Sequence, residues 1–146
     1  MSIVRTVEVA VDPLTAFEVF TDDIGDWYQS GPHSWNDPER AVGIRFEPGV
    51  GGRWLEVWDE ATGEGYELGR VLAWEPGKRL VVTYRNVQLP SSVETEIEVR
   101  FEPVADRTRV TLEHRGLEAL PANELALWEE RAWVGFMGWF RDHAGA

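Results

Sequence analysis

Residues 93–102 read VETEIEVRFE and residues 107–115 read RTRVTLEHR, and their alternation is the clearest indication of the fold class. One phase of the first stretch is apolar or β-branched: Val93, Thr95, Ile97, Val99 and Phe101. The second stretch continues the alternation, with Val110, Leu112 and His114 in the apolar phase. Charged residues fill most of the other phase, so glutamate and arginine can pair across the strands. This alternation is typical of antiparallel strands with one buried and one solvated face.

Alternating or β-branched stretches elsewhere predict five further strands. They lie at residues 3–11, 42–47, 53–59, 65–75 and 79–86. Short turn sequences separate several neighbours, for example Ala61-Thr62-Gly63-Glu64, Glu75-Pro76-Gly77-Lys78 and Ala105-Asp106. Because connections this short join antiparallel neighbours, we expect an antiparallel sheet.

One helix is predicted before the last six strands, and a second one follows them at the end of the chain. Asp12-Pro13 supplies an N-cap and a first helical residue, and this helix should end near Thr21-Asp22. Residues 22–40 indicate a loop or short helix that carries Trp27, Tyr28 and Trp35.

A long final helix is predicted over residues 122–143, where apolar residues recur near helical spacing. The stripe consists of Leu125, Trp128, Ala132, Phe136 and Trp139, widened by Trp133 and Phe140. This helix is the only predicted element large enough to cover the apolar face of the sheet. The sequence therefore predicts an α+β fold in which a curved antiparallel sheet wraps around one long C-terminal helix and encloses a hydrophobic cavity.

Composition narrows the classes of partner. The chain has 146 residues, a net charge of −12, no cysteine and eight tryptophans. So much negative charge repels phosphate backbones, which argues against nucleic acid as a partner. The lack of cysteine excludes disulfides and thiolate metal sites, and it is consistent with a cytoplasmic location. No apolar run approaches the ~20 residues needed for a membrane span.

Several short motifs resemble those of a known family. They are Val7-Glu8-Val9 with Asp12-Pro13 and Ala16-Phe17 with Phe20, Gly51-Gly52-Arg53-Trp54-Leu55-Glu56-Val57, Gly69-Arg70-Val71-Leu72-Ala73-Trp74-Glu75-Pro76, Arg79-Leu80-Val81-Val82-Thr83-Tyr84, and Thr108-Arg109-Val110-Thr111-Leu112-Glu113-His114. Together with the tryptophan-rich final helix, they resemble the START-like, or SRPBCC, superfamily. The local text is most similar to the branch named after the activator of the ninety-kilodalton heat-shock protein ATPase.

This resemblance implies a helix-grip fold formed by a single START-like domain over residues 1–146. It also implies a pocket between the sheet and the C-terminal helix. Members of the superfamily include lipid carriers, polyketide cyclases, hormone receptors, plant allergens and co-chaperone domains. The branch has no shared catalytic motif, so the resemblance implies no reaction.

His114 and Glu56 are the candidate chemical groups of the interior. His114 is in the buried phase of its strand, where it is either a general base or ligand contact, or a structural histidine satisfied by its neighbours. Glu56 lies in phase with Trp54 and Trp58. Arg70 is its candidate partner, either to hold a polar end of a ligand or to form a buried salt bridge.

Other motifs carry less chemistry. His33, with Tyr28 and Trp35, is either part of a lid over the pocket mouth or part of a packed surface loop. The three histidines have no metal-binding spacing, and no phosphate loop or nucleophile elbow occurs. We therefore expect no metal and no cofactor.

Three functional hypotheses follow. The leading one is a non-enzymatic protein that binds a small hydrophobic or aromatic molecule, lipid-like or polyketide-like, as a monomer or homodimer. The expected ligand-binding residues are Trp54, Glu56, Trp58, Arg70, Tyr84, His114, Trp128 and Phe136. The second is a cyclase- or hydrolase-type enzyme that uses Glu56 and His114 as acid and base. The third is a chaperone-associated interaction module, whose acidic surface would bind a basic partner.

Overall fold

The computed structural model of the chain describes residues 2–29, 35–85 and 94–146. Within these residues seven strands form one antiparallel sheet in the order β1-β7-β6-β5-β4-β3-β2. The strands are β1 (Ser2–Val9), β2 (Gly43–Phe46), β3 (Arg53–Asp59), β4 (Glu64–Glu75), β5 (Arg79–Tyr84), β6 (Thr95–Val104) and β7 (Arg107–Arg115). The predicted α+β fold and its antiparallel sheet are confirmed. The predicted strand ends differ by no more than two residues.

The sheet curls because β4 changes partners along its length. Its first half pairs with β3 and its second half pairs with β5. Register shifts interrupt both pairings, near Leu68 and between Val71 and Ala73. β-Bulges of this kind increase local twist, so the β2–β3 end of the sheet turns toward the helices.

Strands β6 and β7 have the buried and solvated faces that their sequence pattern predicts. Ile97 pairs with His114, and Phe101 pairs with Val110, all with side chains buried in the interior. On the opposite face, Glu98 accepts hydrogen bonds from Arg79, Arg100 and Arg115 at 2.8–3.1 Å. These contacts confirm the predicted pairing of glutamate and arginine across strands. The three guanidinium groups offset the free-energy cost of burying the Glu98 carboxylate.

Helix α1 (Pro13–Thr21) begins after Asp12 as expected, and α2 (Ile24–Trp27) is the short helix of the aromatic segment. Phe20 and Trp27 are buried against Phe140 at ring distances of 5.2 and 5.6 Å. These edge-to-face contacts anchor the end of the chain on the first two helices.

The prediction of one continuous C-terminal helix is wrong. The segment forms α3 (Ala122–Arg131) and α4 (Val134–Ala144), separated by Ala132 and Trp133. Trp133 has a φ of 69°, a left-handed conformation that interrupts a right-handed helix. The break turns the indole of Trp133 toward His114, to which it donates a hydrogen bond.

The two helices differ in how they meet the core. Helix α4 buries Phe136, Met137 and Phe140, whereas α3 has no buried residue. Leu125 and Trp128 of α3 are half-buried against the core. Among the described residues no helix is long and apolar enough to cross a membrane.

Candidate functional site

Trp54 lies at the centre of an aromatic cluster between the curled sheet and α4. Its ring stacks on Phe46 with centroids 4.9 Å apart and planes 17° apart. Tyr84, Phe136 and Trp133 surround it at 5.6, 6.2 and 6.4 Å. We call Phe46, Trp54, Tyr84, Trp133 and Phe136 the aromatic chamber.

Strand pairing explains why Trp54 points inward. It stands opposite Phe46 on β2 and opposite Gly69 on β4. A Cβ atom at Gly69 would lie 1.7 Å from the carbonyl oxygen of Thr83, so only glycine allows β4 and the β5 backbone to approach this closely. The close approach bends the sheet around the chamber.

The indole nitrogen of Trp54 is buried and has no hydrogen-bond partner among the described residues. Only 3% of the residue is exposed. A buried donor without an acceptor costs about 1–3 kcal/mol, so native proteins rarely keep one. The chamber therefore contains one polar group that the fold leaves unsatisfied.

Glu56 is buried beside the chamber but is fully engaged with the preceding loop. Its carboxylate accepts hydrogen bonds from the backbone N–H groups of Asn36 and Asp37 at 2.6 and 3.0 Å. The Asn36 side chain and the indole of Trp58 also donate to it, at 3.1 and 2.9 Å. These donors hold a carboxylate in a region of low exposure and attach the loop to β3.

The predicted pairing of Arg70 with Glu56 is wrong. Arg70 is exposed and forms an ion pair with Glu67 at 2.7 Å. Register shifts before and after Arg70 reverse which side chains of β4 point inward and which point outward. Strict alternation along the strand does not predict this reversal. Arg70 therefore does not lie in the chamber.

His114 is fully buried and hydrogen-bonded at both ring nitrogens. Nδ1 accepts from Trp133 at 3.1 Å, and Nε2 lies 3.0 Å from the hydroxyl of Thr95. Burial lowers the pKa of His114 to about 4, so the ring is neutral near pH 7. This arrangement is that of the structural histidine, the second of the two predicted alternatives, and it does not provide a free general base.

Two tyrosines near Glu56 keep their protons. The pKa of Tyr28 is raised to about 12, chiefly by burial and further by the negative charge of Glu56. Burial also raises the pKa of Tyr66, which pairs with Glu56 across β3 and β4. Both phenols remain neutral groups at physiological pH.

A second group of rings extends the chamber toward solvent. Tyr28 contacts Trp35, Trp139 and Phe136 with centroids 5.1, 5.6 and 6.1 Å apart. Trp35 and Trp139 are half-buried. This rim joins α2, the aromatic segment and α4. His33 lies outside the described residues, so its predicted part in a lid stays a prediction.

The structure brings most of the expected ligand-binding residues together. Trp54, Tyr84 and Phe136 form the chamber, and His114 lies against Tyr84 and Trp128 at ring distances of 5.3 and 5.6 Å. Glu56 and Trp58 lie next to it on β3. Trp58 is half-buried, with the guanidinium of Arg40 5.0 Å from its ring.

The sequence-based set omits two residues that complete the chamber. Phe46 lies in the apolar phase of β2, two residues after Ile44. This alternation is the sequence signal that places its side chain in the interior. The helical pattern predicts Trp133 only as a residue that widens the apolar stripe, and it does not place the ring in the chamber.

The comparisons with known proteins agree with this architecture. A sequence model described as activator of Hsp90 ATPase homolog 1-like protein matches residues 10–134. Among curated proteins no significant match exists. The solved structure of the anthrahydroquino-γ-pyrone synthase Txn09 complexed with SUM is 30% identical, with a TM-score of 0.61, and the match covers 97% of this chain and 95% of that one.

Two further structures share the fold at lower identity. Protein MLL2253 of Mesorhizobium loti is 18% identical with a TM-score of 0.65, over 97% of this chain and 95% of that one. The Aha1 dimer of Colwellia psychrerythraea is 16% identical with a TM-score of 0.61, over 99% and 96%. At such identities the likeness establishes the helix-grip architecture alone.

Proposed function

The chain belongs to the family of activator of Hsp90 ATPase homolog 1-like proteins, and on that premise we propose that it binds a small, flat, hydrophobic or aromatic molecule between the curled sheet and the C-terminal helices. The observation that carries this proposal is the aromatic chamber, in which four rings surround the indole of Trp54, whose buried N–H has no acceptor among the described residues. Ordinary cores bury rings as well, but they rarely leave an indole N–H unsatisfied.

Helix α3 offers a route by which a ligand could enter. It has no buried residue, and its Leu127 is 55% exposed. Elements with few buried apolar contacts open at low free-energy cost. The break at Trp133 separates α3 from α4, so α3 can move while Phe136 and Phe140 keep α4 in place.

Charge restricts the class of ligand. The chain carries a net charge of −12, and the carboxylate of Glu56 is buried beside the chamber. A fatty acid or phospholipid headgroup would bring a further negative charge toward these groups. A neutral aromatic molecule meets no such repulsion and gains from offset and edge-to-face contacts with the rings. Polyketide-like molecules therefore fit better than anionic lipids.

Indole NMR spectroscopy tests the proposal without altering the protein. Titration with a neutral aromatic compound such as flavone should shift the indole N–H signals of Trp54 and Trp133. Trp74 supplies an internal control, since it packs against Phe17 of α1 at 5.2 Å and is absent from the chamber. Lauric acid should bind more weakly than flavone. Equal shifts at Trp74 and Trp54, or no binding of any neutral aromatic compound, would exclude the proposed site.

A cyclase-type reaction is the second candidate function. It is favoured by the 30% identity to a structure named as an anthrahydroquino-γ-pyrone synthase. The hydrogen bonds of His114 and Glu56 do not support their use as an acid–base pair, because each group is already occupied by protein donors and acceptors. If such a reaction occurs, the chamber would act by folding and orienting its substrate and by excluding water.

A turnover assay distinguishes this candidate from simple binding. Conversion of a linear polyketide mimic to a cyclic product should exceed the rate in buffer and should fall when flavone occupies the chamber. A rate equal to that in buffer would leave binding as the function. The chaperone-associated alternative stays a prediction, since the relatives named Aha1 and HSP90 activator are 16% and 18% identical and share the fold alone.

A further inference from the structure

We infer that the indole N–H of Trp54 is the specificity-determining donor of this chamber and binds a carbonyl oxygen of a neutral aromatic ligand. The inference rests on the proposed binding function and adds the polar group by which the ligand would be recognised. It starts from the one indole of the chamber that the fold leaves without an acceptor.

Other tryptophans show what the fold ordinarily provides. Trp27 donates to the carbonyl oxygen of Val19 at 2.8 Å, and Trp58 donates to Glu56 at 2.9 Å. Trp133 donates to His114 at 3.1 Å. Among the described residues, Nε of Arg5 is the only other buried side-chain nitrogen or oxygen without a partner, and two other nitrogens of that guanidinium are bonded. In the part of the chain that the structure describes, the buried and unsatisfied indole of Trp54 is therefore an exception.

The surroundings of Trp54 cannot easily supply the missing acceptor. Phe46 and Phe136 have no polar atom, and the indole of Trp133 is a donor only. The hydroxyl of Tyr84 has acceptor capacity, but it forms no hydrogen bond with the Trp54 indole in this structure. Glu56, two residues along the same strand, already accepts from the 36–37 backbone and from Trp58. A ligand in the chamber can bring the acceptor that these neighbours do not provide.

The chemistry of the chamber selects the kind of acceptor. A carboxylate or phosphate would be repelled by Glu56 and by the net charge of −12. A carbonyl oxygen accepts a hydrogen bond while it remains neutral, and in a quinone, flavone or pyrone it lies in the plane of a flat ring system. Such a ring system can contact the faces and edges of Phe136, Tyr84 and Trp133 while its carbonyl meets Trp54.

The experiment compares two probes of similar shape, anthraquinone and anthracene, which differ in the carbonyl oxygens. Trp54 is replaced by β-(3-benzothienyl)alanine through amber suppression, which keeps the size of the indole and removes the N–H. The same replacement at Trp74 is the matched control. Affinities are measured by fluorescence titration, and the indole proton of Trp54 is followed by NMR in the wild-type protein.

The expected result is a change confined to one probe and one position. Anthraquinone should bind about tenfold more weakly after replacement at Trp54, in line with the loss of one buried hydrogen bond, while anthracene changes by less than about twofold. Replacement at Trp74 should alter neither affinity. In the wild-type protein, anthraquinone but not anthracene should move the indole proton of Trp54 downfield.

Each other outcome has a definite meaning. If both probes bind and replacement at Trp54 weakens neither or weakens both equally, the donor role is overturned and the proposed binding function stands. If neither probe binds the wild-type protein, the binding function itself is overturned. If the variant at Trp54 fails to fold, the NMR measurement on the wild-type protein still tests the inference. An unchanged chemical shift of the Trp54 indole proton in the anthraquinone complex would contradict it.

Discussion

The indole N–H of Trp133 donates to Nδ1 of His114 over 3.1 Å, and this bond assigns the protons of a histidine that solvent does not reach. Since Nδ1 is an acceptor, the hydrogen of the neutral ring belongs on Nε2, which then donates to Thr95. The Thr95 hydroxyl in turn donates to the carbonyl oxygen of Tyr84 at 2.8 Å. One chain of hydrogen bonds thus connects the helix break to β7, β6 and β5.

Replacement of His114 by phenylalanine tests this chain. The ring volume is approximately kept, but Trp133 loses its acceptor inside the core. We expect the free energy of unfolding to fall by about 2–4 kcal/mol, because a buried donor is left unpaired. Urea denaturation measures the change. His143→Phe, on the exposed end of α4, is the control and should stay within about 0.5 kcal/mol of wild type. Equal effects at the two positions would contradict a structural role for His114.

The same histidine makes stability depend on pH. Burial lowers the pKa of His114 to about 4, whereas in the unfolded chain it is near 6.5. Between these values the unfolded state binds a proton that the folded state does not, so stability is complete above pH 6.5 and falls as the pH falls toward 4. From pH 7 to pH 5 the loss should be about 2 kcal/mol.

Comparison with the His114→Phe variant isolates this contribution. The variant lacks the titrating ring, so its stability should decline less over the same interval, which lies above the range where most carboxylates titrate. Urea denaturation at pH 7, 6 and 5 gives both slopes. Parallel slopes for the two proteins would show that other groups cause the dependence.

Glu56→Gln tests the anchor of the 36–37 segment. In the wild-type protein, N–H groups of Asn36, Asp37 and Trp58 donate to the two carboxylate oxygens of Glu56. Glutamine replaces one of these oxygens with an NH₂ group, which cannot accept a hydrogen bond from them. We expect a loss of about 2–4 kcal/mol in the free energy of unfolding and faster hydrogen exchange at the indole of Trp58. Glu60→Gln, an exposed carboxylate just beyond β3, is the control and should change neither quantity. Unaltered exchange at Trp58 in Glu56→Gln would contradict this account.

Two glycine-to-alanine substitutions should act in opposite directions. At Gly69 a Cβ atom would lie 1.7 Å from the carbonyl oxygen of Thr83, so β4 and the β5 backbone must move apart, and we expect a loss above about 3 kcal/mol or failure to fold. At Gly135, inside α4, the nearest atom is 3.7 Å away and belongs to Trp139. Alanine there should stabilise by about 0.5–1 kcal/mol. Thermal denaturation measures both changes, and a stabilised Gly69→Ala variant would show that the sheet is less closely packed than described.

The parts of the fold that could be predicted from sequence are those where periodicity is regular. The phases of β6 and β7 put Ile97 and His114 in the interior, because an uninterrupted strand alternates strictly. Arg70 does not take the inward position that alternation predicts, because β4 carries register shifts and each shift reverses the direction of later side chains. No local sequence feature of β4 other than its glycines indicates those shifts.

The break in the C-terminal helix was unpredictable for a different reason. Trp133 is neither glycine nor proline, so no helix-breaking residue marks the position. Its left-handed backbone costs about 1–2 kcal/mol, and the hydrogen bond that its indole donates to His114 on β7 offsets this cost. The tertiary contact decides the local conformation here. The missing acceptor of the Trp54 indole likewise depends on tertiary neighbours, so the sequence alone does not predict it.

The difference in burial between α3 and α4 has a consequence for how such proteins can diverge in sequence. Helix α3 spans ten residues and contributes no buried side chain. Apart from Leu125 and Trp128, which are half-buried against the core, its residues can therefore vary with little penalty to folding, while α4 and the sheet preserve the scaffold. Under the proposed binding function, a new choice of ligand would need changes in this one surface segment and at the few rings below it, so selectivity could evolve separately from stability.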